Sequence, residues 1–594
     1  MKRVAAYGVL AALGAALAPA APPPFAERVR RVIDAYAFPT GADAGYATIA
    51  AKLKRRADPA WCSRRLIELL NQGPTGDMFW MFPVTAIAYL DQGQLSPEAR
   101  QALRRAWRTY MPFRGDTENH WLLYYTSLYL MAQKWPNEPG ESWFSGKSSA
   151  ENFREADAWI RSWVDLTTTR GQGEYDCTHY LGVFLLPMSY LAAWAEDPQM
   201  KKRALLMLDY LIADYAAENL DGLYVGSHAR TDDRQVVEKW GGVSSDFGWL
   251  LFGLGYPLEP HAGYALFYSL ASAYEPPSIL QRIAADRSRP YTHRERKRTR
   301  NRWRYHDELH GPVYKTTYIR REYAVSSDQG GVLQPVQQHS WDITWTVPDP
   351  RGAHNTFFTV HPYSSLFELQ TYFTMGPDSV TEEVVRSKRT YDSPDKLLGG
   401  SPHERIFQDE DTVIVLYDIP PGTRFPHVNG FFSKDLALVE EHPSGWIFAR
   451  GGDAWIACRP LQPYFWKPIA GGGRRLFSPY LKNGFVVQAA PASEYPALAA
   501  FQQAILALPL RLRTDPVAGV EFRSLHGRQL EFSYDAEPAV DGRRRDFTAW
   551  PLFGGPFLNA PVDSRLLKLS HGGVERVLDF RTLTVTERPQ SGPR

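Results

Sequence analysis

Residues 281–326 read QRIAADRSRPYTHRERKRTRNRWRYHDELHGPVYKTTYIRREYAVS, and the grammar of the chain changes inside them. Upstream, from Phe25, apolar residues recur at spacings of three and four. Ser96–Tyr110, His120–Lys134, Ala150–Thr168, Leu181–Ala195 and Met200–Glu218 are the clearest cases. About ten to twelve such segments, paired like hairpins and lacking a repeat of fixed period, predict a closed helical ring, an (α/α) toroid, over residues 25–285. Downstream the segments are short, β-branched and aromatic: Val313–Ser326, His354–His361, Leu366–Phe373, Asp411–Asp418, Leu436–Glu441, Gly445–Arg450 and Ala454–Arg459. Gly, Pro, Asp and Asn punctuate them, which predicts an antiparallel β-sandwich over 310–587. The fold class is therefore α+β and multidomain, the toroid preceding the sandwich. The basic run between, 286–309, is expected to be a solvated linker rather than a polyanion patch. The tail 588–594 is expected to be disordered.

Composition narrows the classes further. The 594 residues carry 67 Lys+Arg against 65 Asp+Glu, a net charge of +2, with 44% hydrophobic and 22% charged residues. This fits a soluble globular protein and gives no support for nucleic acid as a partner. Aromatic residues reach 13%, with 18 Trp, 31 Tyr and 30 Phe; most serve cores, although such rings also stack on sugars. At the N-terminus, Lys2 and Arg3 precede an apolar run from Val4 to Leu17 and a small-x-small Ala18-Pro19-Ala20. That is the pattern of a signal peptide over 1–20, so the protein is expected to be secreted or periplasmic. No later window is long and apolar enough for a membrane span. Cys62, Cys177 and Cys458 are too few and too scattered for a metal cluster and allow at most one disulfide.

Three windows bring chemistry to helix entrances. In GDTENHWLLYYTSLYLMAQ (115–133), Asp116 or Thr117 can cap a helix whose first turn holds Glu118, Asn119 and His120, with Tyr125 further along. A helix N-terminus also favours an anionic group. In GQGEYDCTHYLGVFLL (171–186), a glycine-flexed loop delivers Glu174, Tyr175, Asp176, His179 and Tyr180. In GLYVGSHARTDDR (222–234), His228, Arg230 and Arg234 sit on a loop, and Arg suits bidentate recognition of a carboxylate or sulfate. From the β half, His339 and Trp341 in QQHSWD (337–342) are placed to close over a groove. No GxSxG elbow, P-loop, HExxH or Rossmann fingerprint is present, and no catalytic metal or cofactor is indicated.

A signal peptide, a helical toroid and an antiparallel β domain resemble the alginate lyase and heparinase II/III-like polysaccharide lyases. The likeness covers nearly the whole chain in architecture and is thinner in motif. It implies that Asn119-His120 and Tyr175/Tyr180 correspond to the Asn-His element and tyrosines of those enzymes, with Arg230 near the acidic group of the sugar. The expected activity is β-elimination on a uronate-containing glycan. Asn119, His120 and Arg230 would neutralise the uronate, with Tyr180 first, then His179 and His228, as base and acid. Glu118, Tyr125, Glu174, Tyr175, Arg234, His339 and Trp341 complete the expected sugar contacts. Two other readings stay open: a glycoside hydrolase using a carboxylate pair drawn from Asp116, Glu118, Glu174 and Asp176, and a noncatalytic glycan-binding protein.

Overall fold

The computed structural model describes residues 22–39, 45–73, 78–112, 115–256, 263–271, 273–299, 311–329, 337–364 and 392–589. The expected signal peptide, the strand at Leu366–Phe373 and most of the tail lie outside them. Among the described residues, thirteen α-helices fill the N-terminal half: α1 Phe25–Ala37, α2 Tyr46–Arg55, α3 Pro59–Gln72, α4 Met81–Leu90, α5 Pro97–Thr109, α6 Glu118–Lys134, α7 Ser149–Arg170, α8 Leu181–Trp194, α9 Pro198–Ala217, α10 Asp233–Val237, α11 Val243–Phe247, α12 Tyr264–Ala271 and α13 Ser278–Ala285.

The helices close into a ring. α2 packs on α4, α4 on α6, α6 on α8, α8 on α12, and α12 returns to α2. α1, α7 and α9 lie outside α2, α6 and α8, while α13 backs α9. Sequence composition sorts the two layers. α4 and α8 are buried almost end to end and are apolar all round, as a helix enclosed on every side must be. The outer α5 buries only one stripe, Ala99, Ala102, Leu103, Ala106 and Trp107, and turns Arg100, Arg105 and Arg108 outward. Ser96 caps it by accepting the Ala99 N–H, with Pro97 in the first turn.

Among the described residues, the β half contains sheets of thirteen, six and five strands, paired antiparallel. Apolar residues of the large and six-stranded sheets interleave around Trp341, Trp345, Phe357 and Val415, which makes the sandwich. The five-stranded sheet and the helix Leu498–Leu506 cover the outer face of the six-stranded sheet. The multidomain α+β architecture, a helical ring followed by an antiparallel β domain, is therefore the observed fold.

The linker expectation is corrected. Tyr291–Arg298 is a strand inside the large sheet, paired along its length with Pro312–Ile319. Tyr291, His293, Glu295 and Lys297 alternate inward and are buried. The basic run is not solvated because its inward charges meet opposite charges from the toroid and from the neighbouring strand, where Glu295 stands directly opposite Lys315. Residues 300–309 of the expected linker lie outside the described residues. At the other end, Arg588 and Pro589 of the expected tail belong to the edge strand Thr584–Pro589.

Candidate active site at the toroid mouth

The first turn of α6 and the loop before α8 exchange carboxylates. Glu118 accepts the backbone N–H groups of Gly173 at 3.0 Å and Glu174 at 2.6 Å, together with Trp163 Nε1–H at 2.9 Å and the Arg298 guanidinium. Glu174 returns the favour: its Oε2 accepts the Asn119 N–H at 2.8 Å and the Asn119 side-chain amide. The anion expected at this helix N-terminus is thus supplied from within the chain, 55 residues further on. Thr117 occupies the N-cap without capping a helix N–H; its hydroxyl accepts the Asn119 side-chain amide at 3.1 Å, and Asp116 accepts Trp121 Nε1–H. At Gly173 a Cβ would lie 2.7 Å from the Arg298 guanidinium, which would have to shift.

Glu174 Oε1 then accepts Arg230 at 3.1 Å, and Arg230 Nε donates to Gln337 Oε1 at 2.8 Å. So held, the Arg230 guanidinium lies 4.2 Å from the centroid of the Tyr180 ring. Tyr180 and His179 are half-buried, which places them at the solvent boundary while the residues behind them are sealed. His179 meets Tyr180 edge-on at 4.8 Å and Tyr264 at 6.0 Å. Next to Asn119 on α6, His120 accepts the Gly115 N–H at Nδ1 (2.6 Å) and stands edge-on to the half-buried Phe79 at 5.1 Å. Asn119, Glu174, Arg230 and Tyr180 therefore form one continuous chain of contacts, with His120 and His179 adjoining. A phenol held against a cation, beside an imidazole, is an arrangement in which the two rings can accept and return protons. A cavity of about 420 Å³ beside Phe25, Val29 and Tyr274 lies elsewhere and brings only Glu275 among ionisable carboxylates.

Other expected contacts fall outside the mouth. His228 is fully buried. Its Nδ1 bonds the Asp176 carbonyl at 2.5 Å and its Nε2 faces the Lys239 ammonium at 3.0 Å, so the Nδ1–H tautomer is the one that fits. Burial, and then Lys239, hold its imidazole well below the ordinary range. His339 bridges His228 through the backbone and bonds Asp342 at 3.0 Å; burial keeps it, too, below its usual range. Lys239 completes this group through a 2.5 Å ion pair to Asp342. These side chains fasten the sheet to the ring and do not line the mouth.

Trp341 points into the sandwich core beside Phe357 and is 1% exposed, because Trp341, Ile343 and Trp345 share the inner face of one strand. Arg234 is paired with Glu238 one turn along its own helix and otherwise faces solvent. Tyr125 is stacked between Trp121 and Trp159, with its hydroxyl on Glu155 at 3.0 Å. Tyr175 is buried and donates to Asp328 at 2.9 Å. Glu118 has every contact within the protein, as above, and positions the Gly173–Glu174 loop. Sequence reading quoted Gln337 without assigning it a role and passed over Phe79 and Tyr264; only their aromatic or polar character near glycine-marked loops could have drawn attention to them.

No known family profile matches the sequence, and no curated protein does. Among solved structures, the chain is similar to the heparan sulfate lyase HepC from Pedobacter heparinus. The two share 8% identity over 86% of this chain and 89% of that one, at a TM-score of 0.34. A superposition that loose aligns no side chains, so the account of the site rests on this chain's own geometry.

Proposed function

We propose that the protein is a secreted polysaccharide lyase that cleaves a uronate-containing glycan by β-elimination at the toroid mouth. The observation that carries this reading is the Arg230 guanidinium, fixed by Glu174 and Gln337 and laid against the half-exposed Tyr180 beside His179. A cation against a phenol favours the state in which the phenol has given up its proton. In the proposed step Tyr180 removes the C5 proton of the uronate. The electron pair left at C5 forms the C4–C5 double bond as the C4–O4 bond breaks, and His179 protonates the departing O4. His120 and Arg230 offset the charge that builds on the sugar carboxylate. Asn119 acts one step back as a positioning residue, since its amide is spent on Glu174 and Thr117.

The hydrolase reading has less support. Asp116, Glu118, Glu174 and Asp176 are each 5% exposed or less. All four are engaged by donors within the protein, so no pair of them flanks an open groove. A panel of sulfated and unsulfated uronate polysaccharides, read for near-ultraviolet absorbance and for new reducing ends, separates the outcomes. Elimination raises both signals, hydrolysis raises only the second, and a binding protein raises neither.

A further inference from the structure

Behind the mouth, where α9 meets the strand Tyr291–Arg298, Asp176, Asp214, Glu218, Glu295, Lys297 and Lys315 are sealed from solvent. The Lys297 ammonium reaches Asp214 at 2.6 Å, Glu295 at 3.0 Å and Asp176 at 3.1 Å. The Lys315 ammonium reaches Asp176 at 2.5 Å and Glu295 at 3.3 Å, and also touches Glu218. Four carboxylates facing two ammoniums leave two formal negative charges where uncompensated charge is costly.

The six groups divide into two corners. Asp176 is taken up by both lysines and by the Tyr224 hydroxyl, and Glu218 by Lys315 and Thr317. Asp214 Oδ1 makes no hydrogen bond, the two Glu295 oxygens face the Lys297 and Lys315 ammoniums, and His293 Nε2, on a side chain 1% exposed, faces Glu295 Oε1 at 3.3 Å. His293 and Glu295 stand two residues apart on one strand and so face the same side. One ligand atom from each of Asp214, His293 and Glu295 lies within 4.8 Å of the other two.

We propose that Asp214, His293 and Glu295 bind a divalent transition-metal ion that pins α9 to the first strand of the β domain. Three convergent buried ligand atoms and a deficit of two charges are both answered by one such ion. An imidazole with two carboxylates suits Zn²⁺ or Mn²⁺ rather than the all-oxygen coordination of Ca²⁺ or Mg²⁺. The ion is structural, since its ligands are closed off from the mouth. The competing way to neutralise the cluster is with protons: burial, then the neighbouring Glu295 charge, drive the Asp214 and Glu218 carboxyls well above the ordinary range.

The test uses the full chain purified without chelator. It combines elemental analysis with thermal melts after dialysis against EDTA and after return of Zn²⁺ or Mn²⁺. The expected result is about one tightly held ion per chain, a lower melting temperature when it is stripped, and recovery on its return. His293→Gln should lose the ion and the response together. Absence of stoichiometric metal, with melting indifferent to EDTA and to both ions, overturns the proposal. In that case protons hold the cluster, and stability rises as pH falls. Neither outcome depends on whether the protein is a lyase.

Discussion

Asp328→Asn should change how stability depends on pH. Asp328 lies under the loop that carries Glu174 and Tyr175, and accepts Tyr175 (2.9 Å), Ser227 (3.0 Å) and Gln338 (2.9 Å). Complete burial outweighs Lys315 and these bonds, and lifts the carboxyl from 3.8 to about 7. Because the folded value is raised, the folded chain keeps a proton that the unfolded chain has released between those limits. The stabilisation is complete below about pH 4 and is lost as pH rises through about 7. A gap of about three pH units corresponds to about 4 kcal/mol at most. Asn is nearly the same shape and cannot ionise, so this loss disappears in the variant. Guanidinium unfolding followed by Trp fluorescence, stepped from about pH 4 to about pH 8, should show the variant gaining on its parent by up to about 4 kcal/mol. Parallel curves for the two proteins would refute the reasoning.

Glu174→Ala should destabilise by about 3–5 kcal/mol, because it strands the buried Arg230 charge and removes the acceptor for the Asn119 N–H; denaturant midpoints of variant and parent check this, and unchanged midpoints contradict it. Gly226→Ala should cost about 1–3 kcal/mol, since φ is +101° and the added Cβ would lie 2.5 Å from Ser326 Oγ; a neutral melting temperature would count against that packing. His526 is raised to about 9, first by its hydrogen bond to Asp411, and this bond joins the five-stranded sheet to the six-stranded one. The stabilisation is present below about pH 6.5 and lost as pH rises through about 9, so the cost of His526→Ala should shrink over that alkaline window.

Local sequence revealed the parts of the site that are local. Polar residues clustered before an aromatic helix marked the entrance of α6, glycines marked the loops at 171–173 and 226, and the three windows do meet through Asn119, Glu174 and Arg230. The partners were not legible, because they come from far along the chain: Arg298 on Glu118, Lys239 on Asp342, Lys315 on Asp176. For the same reason the run around Tyr291–Arg298 reads as a solvated linker when viewed alone. Its alternation emerges only when Glu218 and Asp214 are seen opposite it. Trp341 is different, since the pattern Trp341-Asp342-Ile343-Thr344-Trp345 already shows a strand with one aromatic face inward, and the period of two should have placed it in the core. The polar surroundings of Gln337–Ser340 masked that signal.

The central claim is that Tyr180, held against Arg230, removes a proton from a bound uronate. It is tested most directly by following near-ultraviolet absorbance of a uronate polysaccharide with the parent protein and with Tyr180→Phe. The Phe variant keeps the ring under Arg230 and lacks only the oxygen. Absorbance that grows with the parent and falls by about 10²–10⁴-fold with the variant, while the melting temperature is unchanged, is the predicted result. An equal rate of unsaturated product from both proteins contradicts the account.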